Sequence, residues 1–362
     1  MRVDILKPIT AICLLVTCGL PAIRCPQPAA AAEKQLQRYE FQQIEMGVPF
    51  RIVLYADNDV LANKAARAAY ARIKRLNAVM SDYDPDSELM RLCRSSGPGK
   101  PVRVSPELQQ VLRNAAQLST RTGGAFDVTV GPLVRLWRIA RRRKKLPETH
   151  ALKAARQLVG YRNIRLDRKA GTVKLLIKQM RLDLGGIAKG FAGDAALKVL
   201  KKHGITRALI DGSGDVVVGD PPPGRDGWVI EVFAPKRRGK PRAVQSAGKK
   251  AAPKRISLAN AAVATSGDAF QFVKIGGNRY SHIIDPKTGL GLTISSSVTV
   301  IAPNGMAADS LASAVSVLGP QRGLKLIDKT ECTEALVIQL VDGRPREYYS
   351  RRFSDSLTNE AK

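Results

Sequence analysis

Three observations predict an α+β fold for this 362-residue chain. Strand candidates outnumber helix candidates. Connections through the middle of the chain read as hairpins. Helical and strand periods do not alternate regularly, as an open parallel sheet would require. No Gly/Pro/Ser-rich linker interrupts residues 33–350, so one compact unit of mixed sheets and packed helices is expected there, with a short tail at 351–362.

The first 32 residues have a different character. Arg2 and Lys7 make a basic start, residues 8–23 are uncharged and largely apolar, and Ala29-Ala30-Ala31-Ala32 offers small residues for cleavage. This is the layout of a secretory signal peptide, and the apolar run falls short of the roughly 20 residues a spanning helix needs. Export to the periplasm or cell envelope follows as the expectation, with a lipid-anchored form through Cys18 or Cys25 as the alternative. Three of the five cysteines lie in this segment, which leaves Cys93 and Cys332, too few for a disulfide framework or a tetrathiolate metal site.

Beyond the leader, residues 50–55 form a strand candidate. A helix follows, with Leu61, Ala65, Ala69, Ile73, Leu76 and Met80 on one stripe. A polar loop at 81–87 ends it. Ser105 then caps a second helix with Pro106 in its first turn, Leu108, Val111, Leu112, Ala115 and Leu118 facing inward, and Gly123 just past its end. A buried run leads to Trp137. Residues 173–177 read as a strand, and a helix opened by residues 183–190 runs to about His203, where Gly204 stops it. Strands are expected at 208–210, 215–218, 228–233, 280–284 and 296–301, then a helix at 307–318 before Gly319, and a late strand at 335–341.

The net charge is +28, concentrated in Arg141-Arg142-Arg143-Lys144-Lys145 and in residues 236–255, which hold nine Lys/Arg and no acid. The second stretch reads as a solvated loop between strands, an insertion with no assigned role. Attraction to anionic envelope polymers or a membrane surface accounts for such charge. Nucleic acid is excluded as a partner, because aromatics are only 5% and no recognition module is present.

Four segments carry chemistry. Asp183-Leu184-Gly185-Gly186-Ile187-Ala188-Lys189-Gly190 places three glycines, a carboxylate and a lysine at a helix start, which suits phosphate as well as a tight strand-to-helix turn. Asp211-Gly212-Ser213-Gly214-Asp215 is a turn between strands. His282-Ile283-Ile284-Asp285-Pro286-Lys287-Thr288-Gly289 sets a histidine in a polar turn, where a general base and an ordinary turn histidine are both open readings. Asp309 and Ser313, four residues apart, share one helix face and offer hard oxygen donors for Mg²⁺, or are merely a first-turn acid and a surface serine.

Their order is more specific than any one of them. Met46-Gly47, Asp86-Ser87-Glu88-Leu89, Thr122-Gly123-Gly124-Ala125-Phe126-Asp127, residues 183–190, Gly214-Asp215, residues 264–268, residues 282–289 and Ala308-Asp309 follow one another along the chain. The series resembles the ApbE family, the FAD:protein FMN transferases, over about residues 40–340. The resemblance implies a T-fold-like α+β architecture and the use of FAD as flavin donor with Mg²⁺. It implies transfer of FMN to a threonine hydroxyl of an acceptor flavoprotein, with release of AMP. Met46, Tyr83, Ala125, Phe126, Asp127, Asp183, Lys189 and Ile284 would then line the FAD site. The Gly186 carbonyl, Asp309 and Ser313 would hold the metal, and His282 would deprotonate the threonine. Where the family usually has threonine, asparagine, glycine and threonine, this chain has Val48, Cys93, Ser213 and Ser313; only the last keeps an oxygen donor for the metal. A Mg²⁺-dependent FAD pyrophosphatase and a non-catalytic FAD-binding protein of the envelope use the same pocket and stand as alternatives.

Overall fold

The computed structural model describes residues 36–232, 254–267, 271–342 and 344–353. The leader, Phe233, most of the basic stretch at 236–255, Asp268 and the last nine residues lie outside them.

A hairpin opens the fold: β1 (Gln37–Glu45) turns into β2 (Val48–Ala56) at Met46 and Gly47, both with positive φ (52° and 76°). Next come α1 (Asp59–Met80), capped by the Asn58 side chain, and α2 (Glu88–Arg94), capped by Ser87. Then β3 (Val102–Arg103) leads to α3 (Pro106–Arg121), where Ser105 Oγ accepts from the Leu108 N–H. The helical hairpin of α4 (Gly131–Arg143) and α5 (Thr149–Gln157) is followed by β4 (Ile164–Asp167) and β5 (Thr172–Leu175). The second half holds α6 (Ala188–Lys202), β6 (Ala208–Asp211), β7 (Asp215–Val218), β8 (Trp228–Val232) and β9 (Lys254–Leu258). It closes with β10 (Ala261–Gly267), β11 (Phe272–Ile275), β12 (Asn278–Ser281), β13 (Ser296–Ala302), α7 (Gly305–Asp328), β14 (Glu334–Val341) and β15 (Arg344–Tyr349).

Eight strands form one antiparallel sheet in the order β1-β2-β6-β7-β10-β13-β14-β15. The period of two puts alternate residues on opposite faces, and both faces are covered. Ile52, Leu54, Val217, Ala262, Ala264, Val298, Val300 and Val337 face α1, α6 and α7. Val53, Val216, Val218, Val263, Ile301, Leu336 and Ile338 face the β8–β9 ribbon with Trp228 and Ile256. Double coverage explains why these central strands read as continuous apolar runs. From Leu36 onward the chain is one compact unit, as the absence of a linker predicts.

Two glycines set how closely α6 and α7 approach. A Cβ on Gly190 would stand 2.0 Å from the Gly305 carbonyl oxygen, and one on Gly305 would stand 2.5 Å from the Gly190 oxygen. The helices therefore touch main chain to main chain. Asp194 of α6 completes the joint, its carboxylate accepting from Gly305 N (2.7 Å) and Met306 N (2.9 Å) at the start of α7. Burial pushes this carboxyl up to about 6, against the pull of the two N–H donors. Gly190→Ala is expected to cost about 3 kcal/mol, because the clash is with backbone that no rotamer change relieves. Chemical denaturation checks this; an unchanged midpoint would contradict it.

Several elements differ from expectation. The helix expected to stop before Gly319 is interrupted there (φ 73°, ψ 174°) and resumes at Pro320 as far as Asp328, because proline suits a new first turn. The strand expected at 280–284 ends at Ser281; Ile284 makes only an isolated bridge to Gly291. The buried run to Trp137 is helix α4, and Lys254 and Arg255 of the basic stretch belong to β9 rather than to a loop. Residues 351–353 continue the fold, with Phe353 fully buried, so the tail begins later than 351.

Candidate active site

The α6–α7 joint brings the expected metal donors together. Asp309 and Ser313 project from the same face of α7, one turn apart. Gly186, two residues before α6, lies against Ser313: a Cβ there would stand 2.6 Å from Ser313 Oγ and 3.6 Å from Phe126 Cε2. A side chain at this point would have to displace the Ser313 hydroxyl. Asp309 is 5% exposed, and its Oδ2 accepts from the Gly190 N–H (3.1 Å).

Charge in this cluster is unbalanced. Lys189 Nζ lies 2.6 Å from Asp215 Oδ2 and 3.9 Å from Asp309 Oδ2, so one ammonium serves two buried carboxylates. The Asp215 contact lies outside hydrogen-bonding angles and is a charge contact. Burial disfavours the Lys189 ammonium, but Asp309 and Asp215 outweigh it and hold the group above the ordinary lysine value. Burial and then the Asp215 charge push the Asp309 carboxyl up to about 7. A surplus carboxylate, a hydroxyl and an adjacent main chain are the surroundings a hard divalent cation fits. Among the described residues no group of three His, Cys, Asp or Glu side chains could hold a metal, so a cation here relies on hydroxyl and carbonyl oxygens as well.

A second group surrounds Arg138 on α4. Its guanidinium bonds Asp82 Oδ2 (2.6 Å) and Asp183 Oδ2 (3.2 Å) and lies 4.0 Å over the Tyr83 ring. Tyr83 is itself 76% exposed, an aromatic face held out by a cation. Asp183 Oδ1 accepts from Gly185 N (2.8 Å), which fixes the turn leading to Gly186. Burial first, then the neighbouring Asp82, raises the Asp183 carboxyl. Neither Arg138 nor Asp82 is among the sequence candidates. Arg138 is signalled only by the spacing of basic residues on the helix that buries Trp137, and Asp82 only by the polar loop at 81–87.

Ala125, Phe126 and Asp127 are buried in the loop between α3 and α4. Asp127 spends both carboxylate oxygens on the protein, Oδ1 on Thr129 N and Oγ1 and Oδ2 on Tyr161 N. It shapes this loop. Met46 sits partly buried in the β1–β2 turn.

The turn of His282 and Ile284 makes a third group, in which Ile284 packs with α4 and α5. Ile284 is buried with Leu133, Trp137 and Tyr280. His282 Nδ1 lies 3.1 Å from the Gln271 carbonyl oxygen. A carbonyl only accepts, so Nδ1 carries the proton and Nε2 is the basic nitrogen. Helix α4 joins this turn to the second group: Trp137 Nε1 donates to Gly289 O (2.7 Å), and the next residue is Arg138.

The departures have local explanations. Cys93 is buried, Leu182 N donates to its Sγ (3.2 Å), and burial raises the thiol, so it packs as an inert acceptor. Ser213 takes a left-handed φ of 61° and donates from Oγ to Pro49 O (3.0 Å). Val48 opens β2 and packs partly buried against the core.

A family model described as "ApbE family" matches residues 46–337. A FAD:protein FMN transferase of Haemophilus influenzae is 30% identical over 338 residues, covering 90% of this chain and 93% of its own. One of Vibrio cholerae is 30% identical over 335 residues, covering 91% and 96%. Among solved structures, the flavin transferase ApbE from Vibrio cholerae superposes with a TM-score of 0.76 at 29% identity, over 89% of this chain and all of that one. The apbe protein of Thermotoga maritima gives 0.75 at 29% identity over the same shares.

Proposed function

Because the chain belongs to the ApbE family and to its class of FAD:protein FMN transferases, we propose that it moves FMN from FAD to a threonine hydroxyl of an acceptor flavoprotein, releasing AMP, with Mg²⁺ as cofactor. The observation that carries this reading is the meeting of Gly186, Asp309 and Ser313 around a buried surplus of negative charge.

The Gly186 carbonyl, the Asp309 carboxylate and the Ser313 hydroxyl would hold Mg²⁺, which supplies charge neutralisation at a pyrophosphate. Lys189 adds a fixed positive charge beside the same group. Tyr83, backed by Arg138, offers its face to a flat ring system, and Met46, Ala125, Phe126, Asp183 and Ile284 would close the pocket around FAD. His282 Nε2 takes the threonine proton as the hydroxyl oxygen forms its bond to the FMN phosphorus. The bond from that phosphorus to the bridging oxygen breaks, and AMP leaves with the electron pair.

Arg138→Met should weaken FAD binding by about tenfold, since Asp82, Asp183 and Tyr83 lose their shared charged partner. Titration of flavin fluorescence checks this, and an unchanged affinity would remove Tyr83 and Asp183 from the site. The reaction is tested by incubating the protein with FAD, Mg²⁺ and a threonine-containing acceptor peptide, then weighing the peptide. A mass gain equal to bound FMN is expected. AMP without a mass gain would favour the pyrophosphatase, and neither product would favour a flavin binder.

The basic, apolar and small-residue order of residues 1–32 supports export to the periplasm or envelope, and the excess positive charge supports contact with an anionic surface there. Among the described residues no helix is long and apolar enough to cross a membrane.

A further inference from the structure

We infer that Asp215 is a positioning residue for the metal-binding face: it holds the Lys189 ammonium away from Asp309, so that the Asp309 carboxylate stays open to a cation. The inference rests on the metal reading above and adds a residue to it. Asp215 begins β7, is 6% exposed, and is followed by the buried Val216, Val217 and Val218. A buried carboxylate at that point needs a partner. Lys189, in the first turn of α6, is that partner, at 2.6 Å against 3.9 Å to Asp309. Asp309 Oδ2 is already held on one side by the Gly190 N–H. An ammonium moved fully onto Asp309 would occupy the oxygen that the cation requires and would repel the cation as well. Asp215 prevents both effects by competing for the same lysine. Its role is to divide one positive charge unequally between two acids.

The test is Mg²⁺ binding by titration calorimetry on the full chain without FAD, so that no turnover enters the readout. The parent protein is expected to bind Mg²⁺, and Asp215→Asn, which keeps the shape and removes the charge, should bind about tenfold more weakly. Adding Lys189→Met to Asp215→Asn should restore affinity to near the parent value, because the competing ammonium is gone. Lys189→Met alone should bind at least as tightly as the parent. Parent-like binding by Asp215→Asn would overturn the inference. Failure of the double variant to recover would also overturn it, since Asp215 would then be needed by the cation directly. Should Asp215→Asn fail to fold, Lys189→Met decides: weaker Mg²⁺ binding in that variant contradicts competition by the lysine. No Mg²⁺ binding by the parent would instead bring down the metal reading itself.

Discussion

Asp309→Ala is expected to abolish flavin transfer, lowering turnover by about a thousandfold, which corresponds to about 4 kcal/mol of lost transition-state stabilisation. Asp309 is the carboxylate of the proposed donor set, and Gly186 and Ser313 contribute only neutral oxygens. Asp309→Asn separates chemistry from folding. An amide still accepts the Gly190 N–H bond, and it removes the surplus charge that burial penalises. This variant should therefore melt no lower than the parent in the absence of Mg²⁺ and yet be as inactive as Asp309→Ala. Activity measured as FMN mass on an acceptor peptide, beside a thermal melt, checks both halves. Parent-like turnover in either variant would remove Asp309 from the metal site.

His282→Ala is expected to slow transfer by about a hundredfold while FAD binding is unchanged, the size of effect a positioned general base supplies. In the proposed reaction, the hydrogen bond from Nδ1 to the Gln271 carbonyl would let this imidazole accept the proton of the incoming hydroxyl. That bond puts the proton on Nδ1, so Nε2 would be the nitrogen that serves as the proposed base. His282→Gln would keep a donor toward Gln271 without a basic nitrogen, so it should be as slow as the alanine variant. A rate close to the parent in both would take proton transfer away from this turn. Equal loss of FAD binding and turnover would make His282 a pocket wall instead.

Legibility from the sequence follows physical rules. Helices α1 and α3 are plain because each buries one apolar stripe, α1 against the sheet and α6, α3 against α1 and α7, and because Ser105 caps α3. Central strands such as β7 are plain because both faces are buried and Val216-Val217-Val218 is a continuous apolar run. Edge strands β1 and β15 are not: most of their residues are exposed or half-exposed and polar, so neither period two nor an apolar run stands out. Helix α5 hides for the same reason, with only Ala155 buried. In the site, Asp309 and Ser313 stand out by their spacing, and Gly186 joins them as a candidate through the order of motifs that carries the family resemblance. Arg138 and the pairing of Asp215 are not legible, since each works through a residue distant in sequence: Asp82 and Asp183 for one, Lys189 for the other. Local pattern reports what a residue is near along the chain, and both of these depend on the crossing of elements.

The most direct measurement is a crystal structure of the protein with FAD and Mn²⁺, with the metal located by its anomalous scattering. The account predicts a peak within about 2.2 Å of the Gly186 carbonyl, Asp309 and Ser313 oxygens and beside the FAD pyrophosphate. Bound FAD with no peak there, or with the metal held by other residues, would contradict it.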